Sequence, residues 1–150
     1  MGKRGRITII YTLEYRSGWK VESVELNKLV NGFAVNGFAV KRPYEVDVYA
    51  VLVGRGWFDL PVGRPRIRVW IECKDRKSSV KRADIAKLDS AACDVLEANE
   101  RGSEETNFNH WMLVSPSPFD SDAIKYATEN NINCVWHNGF VFKAMNEVEW

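Results

Sequence analysis

Residues 66–74 constrain the fold more than any other stretch of this chain. Ile67, Val69, Ile71 and Cys73 alternate strictly with Arg66, Arg68, Trp70, Glu72 and Lys74. A period of two is the signature of a β-strand, because successive side chains leave it on opposite faces. One face is therefore apolar. The other carries a carboxylate and an ammonium two positions apart, roughly 6–7 Å along the strand. An acid and a base held rigidly on one face can bind a cation and orient a nucleophile.

A second strand precedes it over residues 44–53, rich in Val, Tyr and Leu, with Glu45 near its start and Asp47 two positions on. Between the two strands, Gly54, Gly56, Pro61, Gly63 and Pro65 mark a loop excursion that carries Trp57 and Phe58. After the key strand, a polar turn over 75–79 leads to a helix from about residue 80 to 99. Ile85, Leu88, Ala92, Val95 and Leu96 form its apolar stripe. Lys81 and Arg82 fall in its first turn, where the macrodipole disfavours cations and a bound phosphate would relieve the conflict.

Further on, residues 108–115 read as a strand ended by Ser115-Pro116-Ser117-Pro118. Asp120 or Ser121 caps a helix reaching about residue 129. Residues 133–137 form a strand, and Asn138-Gly139 signals a hairpin with Phe140, Val141 and Phe142 returning. Upstream, residues 6–13 are β-branched and read as a strand or ordered arm. Ser17-Gly18 starts an expected helix over residues 19–30, where Trp19, Leu26, Leu29 and Val30 share a stripe on a helical wheel. Glu22 falls inside that stripe and Glu25 at its margin. A carboxylate facing a core needs a partner, either a salt bridge or a metal. Asn31-Gly32-Phe33-Ala34-Val35 is repeated at once as Asn36-Gly37-Phe38-Ala39-Val40, a local duplication too short for a solenoid repeat.

The expected order is helix, strand, strand, helix, strand, helix, strand, which defines an α/β domain with a mixed β-sheet. An Asp on one strand followed by Glu-x-Lys on the next resembles the restriction-endonuclease-like nuclease superfamily. Asp47 and Glu72-Cys73-Lys74 match its motif, while Val46 stands where a proline often precedes the Asp. Leu113-Val114-Ser115, Phe119, Ala123 and Ala127 resemble the Mrr-type branch. Glu22, the Gly-Phe-Ala-Val segment and the Asp47 strand are similar to archaeal Holliday-junction resolvases. The resemblance covers roughly residues 17–140.

It implies a restriction-endonuclease-like mixed sheet flanked by helices, a single domain with its core at about residues 17–143, and Mg²⁺-dependent DNA endonuclease activity. Mn²⁺ would substitute. The implied metal ligands are Asp47, Glu72, the Cys73 backbone carbonyl and, from the first helix, Glu22, with Glu25 in reserve. Lys74 would orient the attacking water or stabilise the transition state. A homodimer would suit a double-strand cut and is common in the resembled families. The alternative is a catalytically inactive nucleic-acid-binding or assembly module of the same fold. A third reading is an unrelated α/β domain in which Glu72 and Lys74 are a surface ion pair.

Composition narrows the setting. A chain of 150 residues suits one domain, and its formal net charge of +1 gives no global nucleic-acid footprint. The cations are nonetheless clustered: Lys3, Arg4 and Arg6; Arg64, Arg66 and Arg68; then Lys74, Arg76, Lys77, Lys81 and Arg82. Arg66, Arg68, Arg76, Lys77, Lys81 and Arg82 are candidates for phosphate contacts, which position a duplex without reading its sequence. Cys73, Cys93 and Cys134 fit neither a disulfide framework nor a zinc site, and imply a reducing compartment. His110 and His137 build no catalytic pair with them by local spacing. No run is long enough to span a membrane and no signal-peptide core follows the basic start, so the expected location is cytoplasmic.

Overall fold

The computed structural model describes residues 20–30, 44–54, 66–75, 77–100 and 108–148. The elements run β1 (Lys20–Val30), β2 (Tyr44–Val53), β3 (Arg66–Cys73), α1 (Arg82–Glu100), β4 (His110–Ser115), α2 (Ser121–Glu129), β5 (Asn133–His137) and β6 (Phe142–Ala144). All six strands form one sheet whose spatial order is the chain order. β1, β2 and β3 pair antiparallel, β3, β4 and β5 parallel, and β5 with β6 antiparallel. The result is an α/β architecture with a mixed sheet, as the motif order implied. The expected basic start, the strand or arm over 6–13, the duplicated pentapeptide, the excursion carrying Trp57 and Phe58, and Arg76 lie outside the described residues.

Both parallel crossovers step the same way across the sheet. A right-handed crossover then puts α1 and α2 on the same face. There Ile85, Leu88, Ala92 and Val95 of α1 and Ala123 and Ala127 of α2 share a core with Tyr49, Trp70, Leu113 and Cys134. Val48, Ala50, Leu52, Ile67, Val69, Ile71, Met112, Val114, Val135 and Phe142 form the core of the other face. The alternation read in residues 66–74 thus holds: Trp70 lies on the helix side and Ile67, Val69 and Ile71 on the other. No helix among the described residues is long and apolar enough to cross a membrane.

The expected helix over residues 19–30 is instead β1. Two irregularities explain how a strand mimicked helical spacing. The pairing with β2 shifts between Val21 and Ser23, and Asn27 adopts a left-handed φ of 54°. Around Asn27 the faces exchange. Lys28 lies 2.7 Å from Glu25, three positions back, and 4.6 Å from the centre of the Tyr49 ring. β2 slips in step with it. Val46 packs on the helix side, Val48 on the opposite side, and Tyr49 on the helix side again. An unbroken pleat would keep Val46 and Val48 on one face. Asp47 sits at this switch.

Candidate carboxylate site at the end of β3

The paired register of β2 and β3 runs from Val53 opposite Arg66 to Val48 opposite Ile71. Beyond Val48 a side chain takes over from the backbone ladder. The Cys73 N–H donates to Asp47 Oδ2 at 2.8 Å. The face switch in β2 therefore brings the Asp47 carboxylate to the far end of β3. On the other side, the Lys74 N–H donates to the Val114 carbonyl at 2.8 Å, extending the parallel pairing with β4 and fixing the strand end.

Lys74 Nζ lies 3.1 Å from Glu72 Oε1, and the two side chains are only 23% and 21% exposed. The Glu72 carboxyl is raised from its ordinary pKa. Burial is the main cause and the negative charge of Asp47 the next; Lys74 and the Trp70 indole pull it the other way. Trp70 itself is 2% exposed, and its indole N–H makes no hydrogen bond of ordinary geometry. The two carboxylates thus sit close enough to repel, and the Lys74 ammonium pairs with one of them, Glu72.

Glu72 and Lys74 open onto a cleft of about 370 Å³, lined also by Glu45 of β2, Trp70 of β3, and Asp84, Lys87 and Leu88 of α1. Asp47 lies outside that lining. Tyr44 forms part of the wall. Its hydroxyl donates to Asp94 Oδ2 at 2.7 Å, and its pKa is pushed up to about 12 by burial and by Asp94. A phenol so held stays protonated and ties the start of β2 to α1.

Among the described residues, no group of three or more His, Cys, Asp or Glu side chains is gathered to hold a metal. The donors that the resemblance implies here are Asp47, Glu72 and the Cys73 carbonyl, and Glu45 and Asp84 line the same cleft as Glu72. That set fits a hard divalent cation of the Mg²⁺ type, which keeps several waters and is commonly held by one or two carboxylates. Burial is the main cause of the raised Glu72, and the smaller part that comes from the Asp47 charge is what such a cation would relieve.

Glu22 does not belong to the set. It lies on β1, and Arg66 donates to it twice, from Nε at 3.0 Å and Nη2 at 3.1 Å. The Arg66 guanidinium holds the exposed Glu22 carboxyl below its ordinary pKa. Arg66 opens β3, six positions before Glu72, or roughly 20 Å along the strand. Glu25 pairs with Lys28 and lies in register with Tyr49. Neither glutamate completes the pair, because the segment that carries them is a strand, the outermost among the described residues, and not a helix.

The basic residues divide as well. Arg66 is engaged by Glu22. The Arg68 backbone is tied to Asn109, whose side-chain oxygen accepts from Arg68 N–H at 3.0 Å and whose N–H donates to the Arg68 carbonyl at 2.8 Å. Both arginines are at the opposite end of β3 from Glu72. Lys77 and Lys81 are exposed beyond the Glu72 end, and the Arg82 guanidinium lies 5.0 Å from the centre of the Tyr126 ring. Asp84 offsets the cations at the helix start, accepting from Lys81 N–H at 3.0 Å. Tyr44, Asp84 and Lys87 were not anticipated at the site. Lys87 and Asp84 sit on the margin of the α1 apolar stripe, a signal that matters only once α1 is known to cover β3.

Fold and site together define a mixed-sheet α/β domain with a carboxylate pair at the end of its central strand. Among solved structures, it is similar to the crystal structure of a protein of unknown function, AF1548, with a TM-score of 0.55 and 19% identity. The match covers 87% of this chain and 55% of that one, so the chain spans about half the length of that relative, and the likeness is one of fold alone. No family model matches the sequence, and no curated protein matches it.

Proposed function

We propose that this protein is a metal-dependent endonuclease of the restriction-endonuclease-like kind, hydrolysing phosphodiester bonds in DNA. The observation that carries the reading is the meeting of Asp47, Glu72 and Lys74 at one strand end. The Asp47 carboxylate is anchored on the Cys73 N–H, its charge acts on Glu72, and Lys74 pairs with Glu72. The spacing motif alone required none of these contacts.

Asp47, Glu72 and the Cys73 carbonyl would hold Mg²⁺ or Mn²⁺. Such a cation supplies Lewis acidity at a phosphoryl oxygen and a bound water of lowered pKa. The protein's own part is positional. Cys73 N–H fixes the rotamer of Asp47. Burial keeps Glu72 short of water, so its charge is directed to whatever cation faces it. Lys74, once Glu72 is otherwise neutralised, turns its ammonium to a phosphate oxygen, where it stabilises charge developing in the transition state. Lys77 and Lys81 at the same end would take flanking backbone phosphates.

A binding or assembly module of the same fold is the competing reading, favoured by the lack, among the described residues, of any group of three His, Cys, Asp or Glu side chains gathered to hold a metal. Supercoiled plasmid and linear duplex, incubated with Mg²⁺, Mn²⁺ or EDTA, separate the two. Nicking with metal that is lost in EDTA and in Asp47→Asn and Lys74→Met supports the nuclease. Retained duplex binding without nicking in any metal supports the module. Robust cleavage in EDTA would sink the proposed chemistry.

A further inference from the structure

The turn between β5 and β6 holds an aromatic ring out into solvent. Phe140 is 90% exposed and Val141 is 54% exposed. The turn beneath them is firmly built. Asn138 Oδ1 accepts from Phe140 N–H at 3.0 Å and from Val141 N–H at 2.8 Å. Asn138 N–H donates to the Val141 carbonyl at 3.2 Å, Gly139 N–H donates to His137 Nδ1 at 3.2 Å, and Gly139 takes a φ of 95° that suits glycine. His137 and Phe142 stack at 5.4 Å below the turn and are 8% and 5% exposed. None of this needs a large apolar side chain at the tip.

Its position gives the ring a use. Because β3, β4 and β5 are parallel, the His137 end of β5 lies on the same edge of the sheet as the Lys74 end of β3. Glu72 is level with Leu113, and Leu113 with Cys134, so His137 stands three positions beyond the level of Glu72. Two strand spacings separate β3 from β5, about 10 Å. Asp75, just past β3, is near enough for its charge to act on His137, whose pKa is lowered chiefly by burial. Lys77 and Lys81 are exposed on this edge, and Lys143 is exposed beside the turn. Among the described residues, the edge thus combines Lys77, Lys81 and Lys143, alongside Asp75, with a ring that projects from a well-bonded turn.

We propose that Phe140 is a stacking wedge for nucleic acid lying across this edge, meeting the face of a base beside the site of backbone cleavage. This rests on the nuclease reading and adds a contact to it. A single aromatic side chain buries about 150–250 Å². A stable protein interface needs about 800 Å² per partner, several times more. A base face is matched to one ring, and stacking of this kind tolerates any base. A second copy of this chain is the other occupant, and the test separates it.

The experiment uses the full chain, Ca²⁺ in place of Mg²⁺ to block turnover, and a short duplex carrying 2-aminopurine at successive positions. Wild type, Phe140→Ala and Phe140→Trp are compared by anisotropy, 2-aminopurine emission and sedimentation. Wild type should bind and brighten 2-aminopurine at one position. Phe140→Ala should bind roughly ten-fold more weakly, with no brightening and an unchanged salt slope. Phe140→Trp should restore both signals. Equal binding and emission in Phe140→Ala overturns the wedge and leaves the nuclease reading standing. A wild-type dimer that Phe140→Ala converts to monomer assigns the ring to a protein interface and overturns the wedge. Absence of duplex binding by wild type overturns both.

Discussion

Substituting Asp47 in two ways separates its hydrogen bond from its charge. In the folded protein Asp47 Oδ2 accepts from Cys73 N–H at 2.8 Å, in a part-buried position where the β2–β3 ladder has ended. Asp47→Asn keeps an acceptor of the same shape and removes the charge. Asp47→Ala removes both. Each relieves the repulsion felt by Glu72, so that gain cancels in a comparison of the two variants. What remains is an amide left without its partner, which costs about 1–2 kcal/mol for a group only partly shielded from water. At about 2–4 °C per kcal/mol for a chain of this size, Asp47→Ala should melt roughly 2–8 °C below Asp47→Asn in EDTA. Asp47→Asn should melt close to wild type. Hydrogen exchange at the Cys73 amide should quicken in Asp47→Ala only. Both variants should lose any Mn²⁺-induced rise in melting temperature, because linked stabilisation needs an intact site. Equal melting of the two variants would refute the hydrogen-bond assignment. A large drop in Asp47→Asn would make the charge a structural salt-bridge partner and end the reading of Asp47 as a cation ligand.

Three further outcomes are expected. The Glu72 carboxyl is raised on folding, so its contribution to stability is present at low pH and lost as pH rises through the folded value. Glu72→Gln should therefore match wild type near pH 3 and melt above it at neutral pH in EDTA, and the reverse order would show that Glu72 holds the fold as an anion. If duplex DNA binds at the Glu72 end, Lys77→Ala and Lys81→Ala should each shallow the slope of log K against log salt by roughly one unit, while Arg66→Ala, already neutralised by Glu22, should leave it unchanged. Glu22→Gln, at an exposed position of β1, should leave cleavage at the wild-type level, and severe loss of activity would return Glu22 to the site.

The legible parts of this fold were those set by local periodicity. Strict alternation over residues 66–74 placed Trp70, Glu72 and Lys74 on one face before any tertiary contact was known. The α1 stripe of Ile85, Leu88, Ala92 and Val95 is likewise a property of one helix. β1 failed for the same reason that these succeeded. Its pairing shift near Val21 and its left-handed Asn27 break the period of two, and the remaining apolar spacing imitates a helix. Glu22 was misplaced as a consequence, since its true partner is Arg66, 44 positions away. The Asp47–Cys73 bond was illegible because it exists only where β2 parts from β3. Lys87 and Asp84 needed the packing of α1 over β3 to acquire a role.

The identity of spatial and chain order in the sheet bears on how the protein assembles. Among the described residues each strand pairs with its neighbours in the chain, so this sheet can grow from one side without one described strand being inserted between two others. The Asp47–Cys73 bond closes a span of 26 residues and belongs to the first three strands. Loop-closure entropy favours such short spans over longer ones. The bond that pins Lys74 to Val114 spans a longer segment and waits for the first parallel crossover. Loop closure thus predicts that the facing carboxylates form before Lys74 is fixed beside them, an order that φ-values at Asp47 and Val114 would check. A divalent cation that binds the pair would then raise the folding rate and leave the unfolding rate nearly unchanged, since its site is already formed at the barrier.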